Sequence, residues 1–164
     1  HRRGGITINS GNLKYEERQP INQDLEENLF NYLVHSIATT PYYQLLGVKV
    51  RLLASGLAEL EVEVSSQHTN PLGAVHGGLY MSLADAAMGN AIRSLGIKAV
   101  TVDCATSMIA GASVGEIIKA RGTLDKVGKN LIFASALVTA GEKLLATTKG
   151  TFYRVGLIDI NHGS

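Results

Sequence analysis

The 164-residue sequence contains few of the side chains that build disulfide-stapled, zinc-bound or base-stacking proteins. It has one cysteine, Cys104, which excludes an intrachain disulfide framework and a cysteine-rich zinc site. It has no tryptophan, six tyrosines and three phenylalanines, so a base-stacking platform has few rings to use. The 15 basic and 14 acidic residues give a net charge of +1, which argues against a nucleic-acid partner.

Long apolar segments are also missing. No hydrophobic run approaches the ~20 residues that span a bilayer, so we expect no membrane partner. Polar residues follow the first five positions, where a secretory signal has its apolar core. Together with the single thiol, this predicts a cytoplasmic protein. The five histidines are scattered without an H-x-x-x-H pair, so we expect no metal site and no cofactor.

The length suits one domain. We expect residues 1–21 to form a flexible N-terminal arm, native or derived from a tag, and residues 22–164 to form a single domain with a helical extension at its start. Apolar residues at helical spacing predict a helix from Asp24 to Ile37, with Asn22 or Asp24 as its cap. Pro41 then opens a short helical turn that Gly47 closes.

Most of the remaining chain has strand character. Glu59, Glu61 and Glu63 alternate with apolar residues, which predicts one buried and one solvated strand face. Short links between the segments favour antiparallel neighbours. The predicted strands cover residues 48–53, 58–64, 100–109, 116–124, 131–139 and 143–153.

One long helix interrupts the strands, from His76 to Leu95. It carries only two charged residues and is rich in Ala and Gly, which indicates burial on most sides. The predicted fold class is therefore α+β, with an antiparallel sheet of five or six strands wrapped around one central helix.

The start of this helix has the features of a polar catalytic site. Gly77 and Gly78 follow His76, and a helix N-terminus presents free N–H groups that can stabilise an oxyanion. Asp85 lies two turns further on the same face, among apolar neighbours such as Met81 and Met88. A carboxylate there needs a partner or a chemical task, so Asp85 is a candidate base or nucleophile. A cap on another segment, or an ion pair across a subunit interface, would explain it equally well.

His76-Gly77-Gly78 followed by Leu83-Ala84-Asp85 resembles the hotdog-fold acyl-CoA thioesterases of the phenylacetate-degradation (PaaI-type) family. The resemblance covers roughly residues 40–155 and includes the segment from Pro41 to Val48. It implies the hotdog fold and hydrolysis of an acyl-CoA thioester. The alternatives are a hotdog hydratase or dehydratase, which uses a histidine with a carboxylate, and a non-catalytic acyl-CoA sensor.

The resemblance also implies roles for individual residues. Asp85 matches the catalytic carboxylate, and the Gly77 N–H matches the donor that polarises the thioester carbonyl. Asn70 matches a side chain that binds this carbonyl or orients water, His76 has a supporting role, and Thr101 matches a hydroxyl that positions the water. The remaining candidates are substrate-binding residues, namely Gly78, Tyr80, Met81 and Met88, with Lys126 and Lys129 as contacts for CoA phosphates or simply solvated lysines.

The resemblance further implies an assembly. In such enzymes two subunits form the site together, with Asp85 facing the Gly77 of the neighbouring subunit. We therefore expect a homodimer, and a dimer of dimers as the complete particle.

Overall fold

The computed structural model describes residues 18–161, and residues 1–17 and 162–164 lie outside this range. The described chain contains three helices, seven strands and one 3-10 turn, Ser66–His68. In chain order the elements are β1 (Ile21–Asn22), α1 (Glu27–Thr39), α2 (Pro41–Leu46), β2 (Lys49–Ala54), β3 (Leu57–Glu63), α3 (Gly77–Arg93), β4 (Ile97–Met108), β5 (Ile117–Val127), β6 (Leu131–Ala140) and β7 (Lys143–Leu157).

The strands form one sheet in the order β1-β2-β3-β5-β6-β7-β4. The short links correctly predict the antiparallel pairs β2–β3, β5–β6 and β6–β7. They fail for β4 and β5, because β4 pairs with β7 and β5 with β3, both antiparallel. The count of five or six strands was one too low, because the two residues of β1 add a parallel strand beside β2. Two residues have no alternating pattern that could reveal them in a sequence.

Helix α3 lies against the inner face of this sheet and forms the centre of the core. Gly122 on β5 makes this packing possible, because a Cβ there would lie 2.4 Å from the backbone carbon of Ala87 and 2.6 Å from the nitrogen of Met88. Met88 itself is fully buried, against Gly150 and Phe152 of β7. The predicted central helix is confirmed, with His76 as its N-cap rather than its first residue.

The N-terminal segment is tied to the sheet by several contacts. Arg18 forms an ion pair with Glu61 at 2.6 Å, and Ile21 belongs to β1. Helix α1 begins later than predicted, with Glu26 as its N-cap, because the carboxylate of Asp24 accepts the N–H of Ser55 instead. Most of the predicted arm, residues 1–17, lies outside the described residues.

The acidic row on β3 is solvated at Glu63, as its alternation predicts, but not at Glu59 and Glu61. Glu59 and Glu61 are each only 7% exposed. Arg121 binds Glu59 at 2.7 Å, and Lys119 lies 3.6 Å from the same carboxylate. Burial raises the pKa of Glu61, although the nearby cations oppose this shift. Long basic side chains from adjacent strands therefore cover this face, and period-two alternation alone cannot show such cover.

Gly122→Ala tests the contact between α3 and β5. The added methyl group meets helix backbone, which cannot rotate away as a side chain can. We expect the free energy of unfolding to fall by about 3 kcal/mol. Thermal and urea unfolding of the wild type and the variant measure this loss.

Gly156→Ala is the matched control on β7. A Cβ at this position meets only the end of the Lys98 side chain, at 3.6 Å. We expect its stability to stay within about 0.5 kcal/mol of the wild type. Equal stability of the two variants would contradict the close packing of α3 on Gly122.

Candidate active site

The cap of helix α3 leaves a single N–H available at its first position. His76 is the N-cap, and its Nδ1 accepts the N–H of Gly78 at 2.8 Å. The N–H of Gly77 belongs to the first helical residue, which has no intrahelical acceptor. None of the hydrogen bonds among residues 18–161 uses it. The two glycines therefore differ: the N–H of Gly78 is bound by the histidine cap, and the N–H of Gly77 is left available.

The second glycine makes room for this cap. A Cβ on Gly78 would lie 2.9 Å from Nδ1 of His76, so a larger residue would push the imidazole away. A Cβ on Gly77 would meet only the terminal methyl group of Met108, at 3.0 Å. Gly77 lines a cavity with Tyr80 and with the segment after β4. The residue that carries the unused N–H therefore borders open space.

Asp85 is held by a strand that sequence reasoning could not place beside it. The hydroxyl of Thr101, on β4, donates to Oδ1 of Asp85 at 2.7 Å. The pairing of β4 with β7 shifts register between Thr101 and Asp103, which leaves Val102 as an extra residue in the strand. Thr101 and Asp85 thus form a direct hydrogen bond within one chain, and the predicted role of Thr101 in positioning water stays a prediction.

A cavity of about 290 Å³ opens beside this carboxylate. It is lined by Tyr42, Tyr43, Met81, Ser82, Asp85 and Cys104. Burial raises the pKa of Tyr43, and the negative charge of Asp85 raises it further. Burial and the charge of Asp85 likewise raise the pKa of Cys104. Both side chains therefore lie within electrostatic reach of the carboxylate.

The donor and the carboxylate are far apart in one chain. Eight residues of α-helix separate Gly77 from Asp85, a rise of about 12 Å along the axis. A thioester carbonyl measures a small fraction of that length. One chain therefore cannot direct both groups at the same carbonyl.

The other predicted residues are placed as follows. Met81 is 48% exposed and lines the cavity beside Asp85, whereas Met88 is fully buried in the core. Tyr80 is buried, and its hydroxyl accepts the N–H of Ala112 at 2.9 Å. Lys126 and Lys129 are exposed near the link between β5 and β6 and line neither the Asp85 cavity nor the Gly77 cavity.

Asn70 organises the loop that leads into α3. Its Oδ1 accepts the N–H groups of Leu72 at 2.9 Å and Ala74 at 3.1 Å. This is the local turn that an Asn-Pro sequence favours. Its predicted contact with the substrate stays a prediction.

Sequence reasoning missed four residues of the Asp85 cavity, namely Tyr42, Tyr43, Ser82 and Cys104. Cys104 lies on β4. The extra residue Val102 reverses the alternation of β4, so Cys104 shares a face with Thr101. The adjacent tyrosines after Pro41 were the one available signal, because two aromatic side chains on a six-residue helix need a neighbour to pack against.

The structure describes no metal-binding cluster and no membrane-spanning helix within residues 18–161. No group of three or more His, Cys, Asp or Glu side chains could hold a metal ion there. None of the described helices is both long enough and apolar enough to cross a membrane.

Comparison with known proteins identifies the family of this site. The profile of the Thioesterase superfamily matches residues 72–147, which contain Gly77, Asp85 and Thr101. A putative esterase of Archaeoglobus fulgidus is 31% identical over 114 residues, covering 69% of this chain and 74% of the relative. The chain belongs to the thioesterase superfamily. Its predicted class, a thioester hydrolase, is confirmed at that level.

Two further relatives agree with this membership. Mouse acyl-coenzyme A thioesterase 13 is 37% identical over 95 residues, covering 56% of this chain and 68% of the relative. The acyl-coenzyme A thioesterase PaaI of Escherichia coli is 28% identical over 112 residues, covering 68% of this chain and 80% of the relative. The solved structure of the E. coli PaaI protein superposes with a TM-score of 0.76 at 22% identity, covering 83% of this chain and all of that one (100%). The superposition confirms the predicted hotdog fold.

The titration of Cys104 tests the described geometry without any substrate. Because the charge of Asp85 raises the pKa of Cys104, Asp85→Asn should lower that pKa. The variant thiol should therefore react faster at a given pH near neutrality. The pH dependence of iodoacetamide alkylation measures the apparent pKa, since Cys104 is the single cysteine of the chain.

Asp103→Asn is the control for this measurement. Asp103 also raises the pKa of Cys104, but by less than Asp85 does. We expect the pKa of Cys104 to fall by less in Asp103→Asn than in Asp85→Asn. An Asp103 effect equal to or larger than that of Asp85 would place Cys104 away from the Asp85 cavity.

Proposed function

We propose that this protein hydrolyses acyl-CoA thioesters to a carboxylic acid and free CoA, with each active site shared by two copies of the chain. The observation that carries the proposal is the pair of groups on α3. Asp85 is fixed by Thr101 at one end, and the Gly77 N–H is free at the other. Relatives named acyl-coenzyme A thioesterases support the choice of substrate class.

The reaction needs one base and one donor. The carboxylate of Asp85 takes a proton from a water molecule, whose oxygen attacks the thioester carbonyl carbon. The Gly77 N–H, at the positive end of α3, stabilises the resulting oxyanion. Collapse of this intermediate breaks the C–S bond, and the thiolate of CoA leaves and takes up a proton. In a second route that the same groups allow, Asp85 attacks the carbonyl carbon directly and the C–S bond breaks, so that the CoA thiolate leaves. Water then hydrolyses the resulting anhydride, which releases the carboxylic acid and restores Asp85.

The edge of the sheet offers the route to a shared site. Strand β4 pairs with β7 on one side and ends the sheet on the other. Its exposed residues include Val100 at 53% and Val102 at 59%, which makes this edge a template for another strand. The strand carries Thr101 beside Asp85, and its other end carries Met108 beside Gly77. Antiparallel pairing of two β4 strands about a twofold axis would bring Asp85 of one copy towards Gly77 of the other.

A second apolar surface supports a dimer of dimers. Side chains on the outer face of β6 and β7 are 40–54% exposed, and they are Leu131, Phe133, Leu137, Tyr153 and Val155. Large apolar side chains exposed on one face of a sheet typically mark a protein–protein interface. We propose that two dimers pack through this face.

Thiol release from a panel of acyl-CoA thioesters tests the function. We expect hydrolysis by the wild type and a loss of about 10²–10⁴-fold in kcat for Asp85→Asn, which removes the base and the nucleophile alike. We expect a loss of about 10²–10³-fold for Gly77→Pro, which deletes the N–H. Proline suits the first helical position, and His76 already has the extended backbone, φ −67° and ψ 133°, that precedes proline.

Gly77→Ala is the control for the proline variant. It adds a side chain at the same position but keeps the N–H, so we expect it to retain most of the activity. Full activity of folded Gly77→Pro would remove the N–H from the mechanism. If the folded wild type released no thiol, enoyl-CoA hydration and acyl-CoA binding assays would distinguish a hydratase from a sensor.

A further inference from the structure

Two cavities meet at one hydrogen bond between α2 and α3. The first is the Asp85 cavity, of about 290 Å³. The second, of about 420 Å³, lies beside His76 and Gly78 at the start of α3. Tyr42, Met81 and Ser82 line both of them. The hydroxyl groups of Tyr42 and Ser82 are 2.6 Å apart and join the two helices at this point.

The Asp85 cavity suits an apolar ligand. Its walls are the rings of Tyr42 and Tyr43 and the thioether of Met81, and it contains a carboxylate but no Lys, Arg or His. The phosphates of CoA would be repelled there, whereas an acyl chain would not. At ~30 Å³ for a group the size of a water molecule, the cavity holds about ten such groups. A short or medium acyl group, or a compact aryl-acyl group, fits this space.

From these contacts we infer that the bond between Tyr42 and Ser82 is the far wall of the acyl pocket and sets the longest acyl chain that the enzyme accepts. The inference rests on the proposed function, because it takes Asp85 as the point where the thioester carbonyl lies. A longer chain must pass the Tyr42 ring into the cavity beside His76. That passage breaks the bond to Ser82 and displaces the ring.

Helix α2 is built so that one side chain can form this wall. It is six residues long, none of its residues is buried, and no side chain caps its start. Tyr42 is 52% exposed, so its ring is not locked into the core. Removing the ring therefore changes the pocket without opening a hole in the core.

The test compares kcat/KM for hexanoyl-, octanoyl-, dodecanoyl- and hexadecanoyl-CoA. We expect the wild type to prefer the two shorter substrates. In Tyr42→Ala the cavities merge, and the ratio of kcat/KM for hexadecanoyl-CoA to that for hexanoyl-CoA should rise about tenfold or more. Tyr42→Phe keeps the ring but loses the bond to Ser82, so its ratio should rise by less.

Leu45→Ala is the matched control on the same helix. Leu45 is 73% exposed and lines neither of the two cavities, so we expect the wild-type ratio. If Tyr42→Ala changed kcat/KM by the same factor for all four substrates, the inference would be overturned. The second cavity would then hold a part of CoA that is common to all of them. A wild-type preference for hexadecanoyl-CoA would overturn it as well.

Binding separates this inference from the proposed hydrolysis. S-hexyl-CoA and S-hexadecyl-CoA are thioethers that cannot be hydrolysed, and calorimetry gives their Kd values. In Tyr42→Ala we expect the affinity for S-hexadecyl-CoA, relative to that for S-hexyl-CoA, to rise by the same factor as the kcat/KM ratio. If this affinity ratio rises but the wild type hydrolyses no substrate, the proposed catalysis is wrong and the inferred acyl pocket is supported. An unchanged Kd ratio contradicts the pocket whether or not the wild type turns over.

Discussion

The rigid length of helix α3 is the constraint on which the rest of the site depends. An α-helix cannot shorten, so the eight-residue step from Gly77 to Asp85 keeps the donor and the carboxylate about 12 Å apart. The contact of its backbone with Gly122 fixes this helix against the sheet. Both polar groups are therefore held in place by the core. The proposed hydrolysis, which needs both groups at one carbonyl, therefore requires a second copy of the helix.

Several surface features agree with this requirement. The free edge of β4 is long and exposes Val100, Val102 and Met108, and a lone monomer would normally cover such an edge. Along this strand Thr101 accompanies Asp85 and Met108 accompanies Gly77, so the strand and the helix run in opposite directions. A twofold axis across this edge would place the Asp85 end of one copy beside the Gly77 end of the other. The half-open cavities along α3 would then be closed by the partner.

Much of this arrangement could be predicted from the sequence, and the exceptions have physical causes. Asp85 could be picked out because a carboxylate among apolar helix residues is costly unless it has a partner or a function. The two glycines could be picked out because they begin a helix. The N–H of Gly78 binds the His76 side chain whereas that of Gly77 does not, and no sequence pattern predicts this cap. The burial of Glu59 depends on arginine and lysine from a neighbouring strand. The place of Cys104 in the cavity depends on one extra residue in β4.

Activity of mixed dimers tests the shared site most directly. Asp85→Asn and Gly77→Pro chains, each with a different affinity tag, are co-expressed, and dimers that carry both tags are isolated. Each such dimer has one site with an intact Asp85 and an intact Gly77 from different chains, so about half of the wild-type activity should return. If both groups acted within one chain, neither chain would be complete and the mixed dimers would be as inactive as the two parent variants. That result would contradict the account.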